Sequence, residues 1–560
     1  MTVVALLQLD HTVGDIDANV KSIENAVGIA QENGAELAVS SELAISGYPP
    51  RDLLEKHGFV RQCIEATKSI QVSIPTIVGT PIPPEAERTK PGNGAVRIIP
   101  GRPTRVVTQK QLLPTYDVFD EERYFHPDSK PGILRLLDGQ NIGVTICEDA
   151  WQHAGLVPSD YSVDPIEQLS SFSIDGETLK MSLNLSSSPY HIEKQDTRAE
   201  VARCAAKTLE HPFLLCNQVG ANDDLIFDGN SFIINKNGSK IKQLKSFSED
   251  TSIWDMHENF NLVVEKKSSE ISSIFDALVL GVKDYAKKCG FRSVLIGLSG
   301  GIDSALVAVI ATAALGSENI FCVSMPSKWS SKHSKIDAKD LVERLNISLN
   351  TIPIENIMSS FEDAFVENLN FQAEGITNQN IQSRIRGTLL MALANQEKHL
   401  LLSTGNKSEL AVGYCTLYGD MNGGLSVIGD LYKTNVFKLC KWLDNNDSVE
   451  SRKKYKLDSR IKIIGDQICN KPPSAELGPD QFDTDSLPPY CLLDKILKGI
   501  IEEKKDLHIL EQDGYTKEQI LRIITLIKKA EFKRRQAPPI LKLSSQSLGS
   551  DWRVPIAVSD

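Results

Sequence analysis

Residues 294–304 read V-L-I-G-L-S-G-G-I-D-S, and this stretch decides the fold of the second half of the chain. An apolar run suited to a β-strand stops at Ser299 and Gly300, and the apolar segment 305–315 that follows is suited to a helix. Glycines let the backbone approach an anion closely, while serines and a helix N-terminus supply donors and partial positive charge. The stretch therefore predicts a strand, a loop that holds two linked phosphates, and a helix.

We expect this loop to bind a nucleotide. Asp303 is explained if it binds a Mg²⁺ that bridges phosphate oxygens, because hard cations prefer oxygen ligands. The Walker pattern and its lysine are absent from the loop, which argues against kinases and ordinary ATPases and favours enzymes that release pyrophosphate and leave an adenylylated substrate. The alternative is a strand-turn-helix corner whose serines only cap the helix. The expected ATP contacts in this loop are Gly297, Ser299, Gly300, Gly301, Asp303 and Ser304.

Length and hydropathy set the architecture. With 560 residues the chain exceeds one typical core, so two domains of roughly 250 residues each are expected. The hydrophobic content of 41% is ordinary for a globular protein, and no apolar run approaches the ~20 residues that span a bilayer. The first residues lack a basic segment and reach Asp10 early, so they predict a first strand and not a signal peptide. We expect a cytoplasmic protein with no membrane association.

Cysteine content and net charge argue against disulfide-rich, zinc-binding and nucleic-acid-binding proteins. The ten cysteines form no C-x-x-C pair and no Cys/His cluster, which argues against a disulfide framework and a structural zinc site. We expect most of them to be buried thiols. The net charge of -12 argues against a nucleic-acid partner, although a local basic pocket for a phosphorylated small molecule is compatible with it. The K-R-R-Q stretch that begins at Lys533 is a candidate for that pocket.

The two halves of the chain differ in pattern. The first half alternates short β-type runs with polar or helical segments and predicts an α/β domain of many strands. The pattern fades near residue 270, so we place the domains at 1–268 and 269–560. The second half repeats strand, loop, helix and strand, which is typical of a doubly wound parallel sheet with its ligand at the strand ends. The β-type runs of the first half are 3–9, 36–42, 76–81, 105–110, 142–147, 182–188 and 213–220.

Three residues at the ends of these runs could form a nucleophilic site. Cys147 ends the run 142–147 and is followed by acids, where a strand-end nucleophile would be exposed. The thiolate is the reactive form, so the cysteine needs a base and a nearby cation. Glu42 and Lys110, each at the end of an apolar run, offer these groups. Taken singly, Cys147 is equally explained as a core thiol, and Glu42 and Lys110 as solvated loop charges.

Together, the contexts of Glu42, Lys110 and Cys147 resemble the nitrilase superfamily, with its Glu-Lys-Cys triad, over almost the whole first half. The resemblance implies an α/β sandwich in which Cys147 attacks an amide carbonyl, Glu42 is the general base and acid, and Lys110 stabilises the oxyanion. The amide nitrogen would leave as ammonia. The residues that match substrate contacts of glutamine-using members are Tyr116, Ser188 and Lys194.

The second half resembles the NAD synthetases well beyond the phosphate loop, in Q-N-I-Q-S-R, T-G-N-K-S-E, K-P-P-S-A-E-L and K-R-R-Q-A-P-P. The resemblance implies an ATP-pyrophosphatase domain of the adenine nucleotide alpha hydrolase type, with ATP as co-substrate. Thr404 matches an ATP contact, and Asp303 and Glu409 are the expected Mg²⁺ pair. Without the family match, the side chains at 380 and 384 are explained as the polar side of an amphipathic helix. The residues that match the deamido-NAD face are Asn380, Arg384, Glu409 and Lys533.

The two resemblances imply one reaction. Deamido-NAD is adenylylated by ATP, and ammonia from glutamine displaces AMP, which gives NAD, AMP, pyrophosphate and glutamate. Free ammonia is mostly protonated at neutral pH, so an enclosed passage from Cys147 to the nucleotide loop is expected. The same architecture implies a homo-oligomer whose partners are the small-molecule substrates deamido-NAD, ATP and glutamine.

Three alternatives share part of this pattern. One is another pyrophosphate-releasing amidotransferase, which aminates a purine nucleotide or builds asparagine. Another is a plain amidase whose second domain only senses a nucleotide. The last is an interaction protein without catalytic activity.

Overall fold

The computed structural model describes residues 3–85, 89–157, 161–173, 176–256 and 269–557. The described residues up to 256 form one compact unit, and those from 269 onward form a second. The domain boundary predicted between residues 268 and 269 falls at the edge of segment 257–268, which lies outside the described residues. It stays a prediction.

The first unit is built from short strands with helices between them. Its strands are β1 (Val3–Gln8), β2 (Leu37–Val39), β3 (Thr76–Ile82), β4 (Gly92–Ile98), β5 (Arg105–Gln109), β6 (Gly132–Arg135), β7 (Asn141–Ile146), β8 (Ser182–Ser186), β9 (Phe213–Asn217), β10 (Val219–Asn222), β11 (Leu225–Asp228), β12 (Phe232–Ile234), β13 (Lys240–Gln243) and β14 (Asp250–Asp255). Its α-helices are α1 (Ile16–Glu32), α2 (Phe59–Ser69), α3 (Glu121–Tyr124), α4 (Pro165–Ser170) and α5 (Lys194–Leu209).

The strands of the first unit form two six-stranded sheets and a small hairpin. The first sheet has the order β14-β1-β2-β3-β4-β5, and the second has the order β13-β12-β9-β8-β7-β6. In each sheet the central pairs are parallel, β1 with β2 with β3 and β7 with β8 with β9, and the outer pairs are antiparallel. Strands β10 and β11 pair as the hairpin. Parallel pairs need helical crossovers, which is why helices interrupt the strands in this unit.

Successive side chains along a strand point to opposite faces of the sheet, so one face packs against the other sheet and the opposite face packs against helices. In β1, Val4 and Leu6 belong to a core shared with Leu214 of the second sheet. Ala5 and Leu7 point to the other face and pack against Ile23 of α1. Helices α4 and α5 cover the outer face of the second sheet in the same way. The unit is therefore an α/β sandwich with helices outside two facing sheets, as the resemblance to the nitrilase superfamily implies.

The second unit is built around one parallel sheet. Its strands are β15 (Val294–Gly297), β16 (Ile320–Ser324), β17 (Ser348–Thr351), β18 (Leu400–Ser403) and β19 (Leu425–Ser426). Its α-helices are α6 (Glu270–Lys288), α7 (Ile302–Leu315), α8 (Lys332–Leu345), α9 (Glu355–Leu369), α10 (Gly375–Glu397), α11 (Lys407–Val412), α12 (Lys433–Leu443), α13 (Val449–Lys454), α14 (Asp466–Asn470), α15 (Tyr490–Ile501), α16 (Leu507–Gln512) and α17 (Lys517–Arg534).

The order of this sheet, β17-β16-β15-β18-β19, contains a topological switch point. From β15 the chain adds β16 and β17 on one side, and then crosses to add β18 and β19 on the other, with all pairs parallel. The loops that leave β15 and β18 therefore diverge at the carboxyl ends of two adjacent strands. Open parallel sheets bind ligands at such a point. The predicted doubly wound parallel fold is confirmed, and the loop predicted to hold phosphates follows β15.

Two smaller expectations, on the strands and on the buried cysteines, also hold. Each β-type run predicted for the first unit overlaps a strand. None of the ten cysteines, all of which lie in the described ranges, takes part in a disulfide, and six of them are buried. Within the ranges that the structure covers, we find no helix of the length and apolarity needed to cross a membrane.

Replacing Leu214 by Ala should destabilise the first unit by about 2–5 kcal/mol, because Leu214 is fully buried between the two sheets and its loss leaves a cavity. The shift is measured as a lower midpoint of urea or thermal unfolding. Val106→Ala on β5 is the control, since Val106 is 48% exposed and should change stability by less than about 0.5 kcal/mol. Equal shifts in the two variants would contradict the sandwich core.

Candidate active sites in the two units

Glu42 and Lys110 form a buried ion pair in the first unit. Glu42 lies in the turn after β2 and Lys110 directly after β5, so two strands of one sheet deliver them. The Lys110 Nζ lies 2.8 Å from Glu42 Oε1, and both side chains are fully buried. They are therefore not solvated loop charges.

Further hydrogen bonds fix both carboxylate oxygens of Glu42. Asn93 Nδ2 donates to Oε1 at 2.7 Å, and the backbone N–H of Ser187 donates to Oε2 at 3.0 Å. The Ser187 hydroxyl also donates to the Glu42 carbonyl at 2.9 Å, which ties the first sheet to the second. The carboxylate is held in one orientation, as a positioned general base requires.

Sequence reasoning missed a second carboxylate at the same lysine. Glu121, the first residue of α3, lies 2.8 Å from Lys110 Nζ and accepts a hydrogen bond from the Tyr48 hydroxyl at 2.9 Å. Burial raises the pKa of Glu121 to about 7, against the lowering effect of Lys110. Burial alone would lower the pKa of Lys110, but Glu121 and Glu42 together raise it, so the lysine stays charged. The sequence offered one signal for this residue, because Glu121 is an acid only eleven positions after Lys110.

Cys147 lies at a sharp turn at the end of β7. Its φ of 42° is in the left-handed region, which is rare outside glycine and marks a constrained position. Asp149 holds the turn by accepting from the backbone N–H groups of Ile146, Gln111 and Leu112 at 2.9–3.0 Å. Because Gln111 and Leu112 follow Lys110, Asp149 also fixes the lysine segment beside the cysteine.

The electrostatic surroundings of Cys147 keep its thiol protonated. Burial raises the pKa of Cys147 well above its usual value, Glu42 raises it further, and Lys110 opposes both. The thiol therefore needs a base before it can react, and Glu42 is the nearby carboxylate that can take the proton.

Two of the three residues predicted to contact the amide substrate, Tyr116 and Lys194, lie near this turn, and the third follows a residue that binds Glu42. The Tyr116 hydroxyl donates to Glu148 Oε1 at 2.9 Å, next to Cys147 in the chain. The Lys194 ammonium lies 4.2 Å from the centroid of the Trp151 ring, and burial lowers its pKa to about 8. Ser188 follows Ser187 and receives Arg198 Nη2 on its carbonyl oxygen at 3.3 Å. Sequence reasoning missed Glu148, although it directly follows the cysteine.

The loop after β15 is closed by its own serines. The Ser299 hydroxyl accepts from the Gly301 N–H at 3.1 Å and lies 3.1 Å from the Ser304 hydroxyl. Ser304 in turn donates to the Gly301 carbonyl at 3.1 Å. Gly297 ends the strand before this loop. The compact turn leads straight into α7, so it presents backbone donors at the N-terminus of that helix.

Gly300 has a steric reason to be glycine. Its φ is 81°, and a Cβ there would lie 2.2 Å from the Ser334 carbonyl oxygen. Lys471, which begins the K-P-P-S-A-E-L segment, donates to the Ser334 hydroxyl at 2.7 Å and to Asp337 at 2.9 Å, and its Nζ lies 3.4 Å from the Gly300 carbonyl oxygen. Sequence reasoning left Lys471 without a role. The structure shows that it braces the loop from outside.

Asp303 and Glu409 both accept hydrogen bonds from the Lys433 side chain. Lys433 Nζ donates to Asp303 Oδ2 at 2.5 Å and to Glu409 Oε1 at 3.0 Å. Asn406 caps α11, accepts from the Glu409 N–H at 3.0 Å and donates to Asp303 Oδ1 at 3.0 Å. The two carboxylates predicted to bind a metal are thus close together, with a lysine and an asparagine that sequence reasoning did not assign.

Thr404 lies in the loop after β18, the strand adjacent to β15, and is half-buried. The switch point therefore places it beside the phosphate loop, as expected for a residue of a nucleotide site. Its neighbours Asn406 and Glu409 follow in the same segment.

The remaining predicted contacts gather on one loop that follows α11. Asn380 Oδ1 on α10 accepts from the Thr416 hydroxyl at 3.0 Å, and Arg384 Nε donates to the Leu417 carbonyl at 3.2 Å. Lys533 on α17 donates to the carbonyls of Gly413 and Cys415 at 2.8 Å. Lys533 is therefore not a solvated basic residue. The three side chains are brought together from distant parts of the sequence.

The fit of a divalent metal depends on the donor set. The ranges that the structure covers contain no group of three or more histidine, cysteine, aspartate and glutamate side chains placed to hold a metal ion. Mg²⁺, however, is usually held by one or two carboxylates together with substrate phosphates and water. Asp303 and Glu409 beside a phosphate loop match that requirement.

Two family models match the chain. The model described as Carbon-nitrogen hydrolase matches residues 3–259, and the model described as NAD synthase matches residues 274–537. Fold and sites thus define a class of protein in which a carbon-nitrogen hydrolase unit precedes an NAD synthase unit.

Proteins of this class match the chain from end to end. The chain is 45% identical over 572 residues to the glutamine-dependent NAD(+) synthetase of Synechocystis sp., covering 100% of this chain and 99% of that protein. It is 36% identical over 589 residues to that of Thermotoga maritima, covering 99% and 98%. The structure of the Acinetobacter baumannii glutamine-dependent NAD+ synthetase in complex with adenosine diphosphate superposes with a TM-score of 0.74 at 34% identity, covering 99% and 98%. The chain belongs to the glutamine-dependent NAD(+) synthetase family.

Gly300→Ala should weaken ATP binding by at least about tenfold, because a Cβ 2.2 Å from Ser334 forces the loop to move and a left-handed non-glycine residue adds strain. Calorimetric titration with ATP measures the change. Gly290→Ala is the matched control, since Gly290 has a φ of 80° and open space around its Cβ position. If both variants bind ATP equally well, the tight loop is not the nucleotide site.

Proposed function

We propose that this chain hydrolyses glutamine in its first unit and uses the ammonia to convert deamido-NAD to NAD in its second, with ATP cleaved to AMP and pyrophosphate. The observation that carries the proposal is the buried Glu42–Lys110 pair beside Cys147, present in the same chain as a phosphate loop with two facing carboxylates. Neither site alone explains the other.

In the first unit Glu42 accepts the proton of the Cys147 thiol, and the thiolate attacks the side-chain amide carbonyl of glutamine. Lys110 stays charged and stabilises the oxyanion that forms. Glu42 then returns the proton to the nitrogen of the tetrahedral adduct, the C–N bond breaks, and ammonia departs while a thioester forms on Cys147. Water, activated by the same carboxylate, releases glutamate. The raised pKa of Cys147 supports this order, since the thiol cannot ionise without the base.

The surroundings of Cys147 suit the charged end of glutamine. Glutamine carries an α-ammonium and an α-carboxylate, which need groups of opposite charge. Glu148, held by Tyr116, is suited to the ammonium, and Lys194 at the start of α5 is suited to the carboxylate. Ser188 completes the predicted set of contacts. We propose these residues as the glutamine site.

In the second unit the loop from Ser299 to Ser304 would hold the phosphates of ATP, together with Thr404 from the adjacent strand. Asp303 and Glu409 would hold Mg²⁺, which supplies charge neutralisation for the phosphate oxygens. The 413–417 loop and the side chains of Asn380, Arg384 and Lys533 around it would bind deamido-NAD. The nicotinate carboxylate attacks the α-phosphorus of ATP, pyrophosphate leaves, and ammonia then displaces AMP.

Three features of the proposal rest on the sequence alone. A homo-oligomeric state, a cytoplasmic location and an enclosed ammonia passage stay predictions. Ammonia that reaches the adenylate without entering bulk water would escape protonation, which is the physical reason for the passage.

Cys147→Ala should lower glutamine-dependent NAD formation by at least about a thousandfold, because the nucleophile is lost. NAD formation from ammonium should remain close to the unaltered rate. Asp303→Ala should abolish NAD formation from either nitrogen source while glutamine hydrolysis persists. The measurements are NAD, AMP and glutamate released from ATP, deamido-NAD, Mg²⁺ and either glutamine or ammonium.

Cys204→Ala on α5 is the control for cysteine removal and should behave as the unaltered chain. If Cys147→Ala forms NAD from neither glutamine nor ammonium, the assignment of glutamine hydrolysis to the first unit and NAD formation to the second is refuted. NAD formation that persists in Asp303→Ala would refute the metal assignment. Glutamate release without AMP under all conditions would instead support a plain amidase with a nucleotide-sensing domain.

A further inference from the structure

Lys433 is a buried cation between the two carboxylates assigned to the metal. It is the first residue of α12, its side chain is 3% exposed, and its Nζ donates to Asp303 and Glu409. The lysine uses Asp303 Oδ2 and Glu409 Oε1, whereas Asn406 uses Asp303 Oδ1. The ammonium therefore contacts carboxylate oxygens that a divalent metal would also need.

The backbone of Lys433 is fixed, so the side chain alone can respond to a ligand. The Lys433 N–H donates to the Ser408 hydroxyl at 2.9 Å, and Ser408 donates to Asp494 at 2.5 Å. Asp494 also accepts from the Thr434 N–H at 2.8 Å. Helix α12 is thereby joined to α11, which carries Glu409, while four rotatable bonds remain in the lysine side chain.

Competition for the same oxygens decides when a metal can enter. The Lys433 ammonium donates to Asp303 Oδ2 and to Glu409 Oε1, so a divalent cation can bind these oxygens only after the lysine gives up its hydrogen bonds. A buried ammonium without acceptors is costly away from water. An ammonium that contacts Asp303 lies beside the loop that would hold the phosphates of a nucleoside triphosphate. The phosphate oxygens would then be its alternative acceptors.

We propose that Lys433 makes divalent-metal binding at Asp303 and Glu409 conditional on the nucleotide, because its ammonium competes with the metal for these carboxylates until triphosphate oxygens accept its hydrogen bonds. The proposal rests on the proposed function of this site. Lys433 is thus a positioning residue whose hydrogen bonds to Asp303 and Glu409 set the order in which the ligands enter. Because of this lysine, the metal and the nucleotide must enter the site together.

The test is a titration of the full chain with Mn²⁺. Binding is measured as the decrease of the free Mn²⁺ signal in electron paramagnetic resonance. In the unaltered chain, Mn²⁺ alone should bind weakly. With a saturating nonhydrolysable ATP analogue present, the chain should bind Mn²⁺ more tightly than the analogue binds it in free solution. Lys433→Met, which keeps the length of the side chain without its charge, should bind Mn²⁺ alone at least about tenfold more tightly, given the repulsion removed at this distance.

Matched variants make the result specific. Lys438→Met removes an exposed lysine from the same helix and should leave Mn²⁺ binding unchanged. Lys433→Gln is a second neutral replacement and should also tighten Mn²⁺ binding if the methionine variant misfolds, as judged by thermal unfolding. Adding Asp303→Asn to Lys433→Met should remove the gained binding.

Two results would overturn the proposal in different ways. If neutral replacements of Lys433 bind Mn²⁺ alone no more tightly than the unaltered chain, while Asp303→Asn still abolishes binding with the analogue, the competition is wrong and the metal pair stands. If Asp303→Asn and Glu409→Gln leave Mn²⁺ binding with the analogue unchanged, the metal assignment fails, and the competition fails with it.

Discussion

A buried ammonium held between two carboxylates recurs in both units, and each site depends on it. Lys110 lies between Glu42 and Glu121, and Lys433 lies between Asp303 and Glu409. Two carboxylates cannot both stay charged close together away from water unless a cation separates them. In the first unit this arrangement keeps a lysine charged beside the thiol. In the second it keeps two acidic oxygens directed at one point.

The folds explain why such groups of charges can form. In the first unit, Glu42, Lys110 and Cys147 all follow strand ends, and the two facing sheets bring those ends together. In the second unit, the switch point between β15 and β18 brings the phosphate loop beside Thr404. In both cases regular strands supply rigidity, and the irregular segments after them supply the chemical groups.

Much of this arrangement could be predicted from the sequence. Alternating apolar runs revealed the strands, and a charged residue at the end of such a run marked Glu42, Lys110 and Cys147. The partners were out of reach because they depend on which segments pack together. Glu121 contacts Lys110 directly because α3 and the Tyr48 hydrogen bond position it, and Lys433 on α12 contacts Asp303 on α7. Lysines and acids of this kind look like surface residues until the fold is known.

The loop 413–417 has a consequence for how this enzyme can diverge. It continues directly from α11, so one short stretch of backbone carries Glu409 at one end and contacts Asn380, Arg384 and Lys533 at the other. An insertion or deletion in this stretch would move the acidic group and the contacts of the loop at the same time. Exchange of side chains at constant loop length, by contrast, leaves the acidic group and the backbone of the loop in the same relative position.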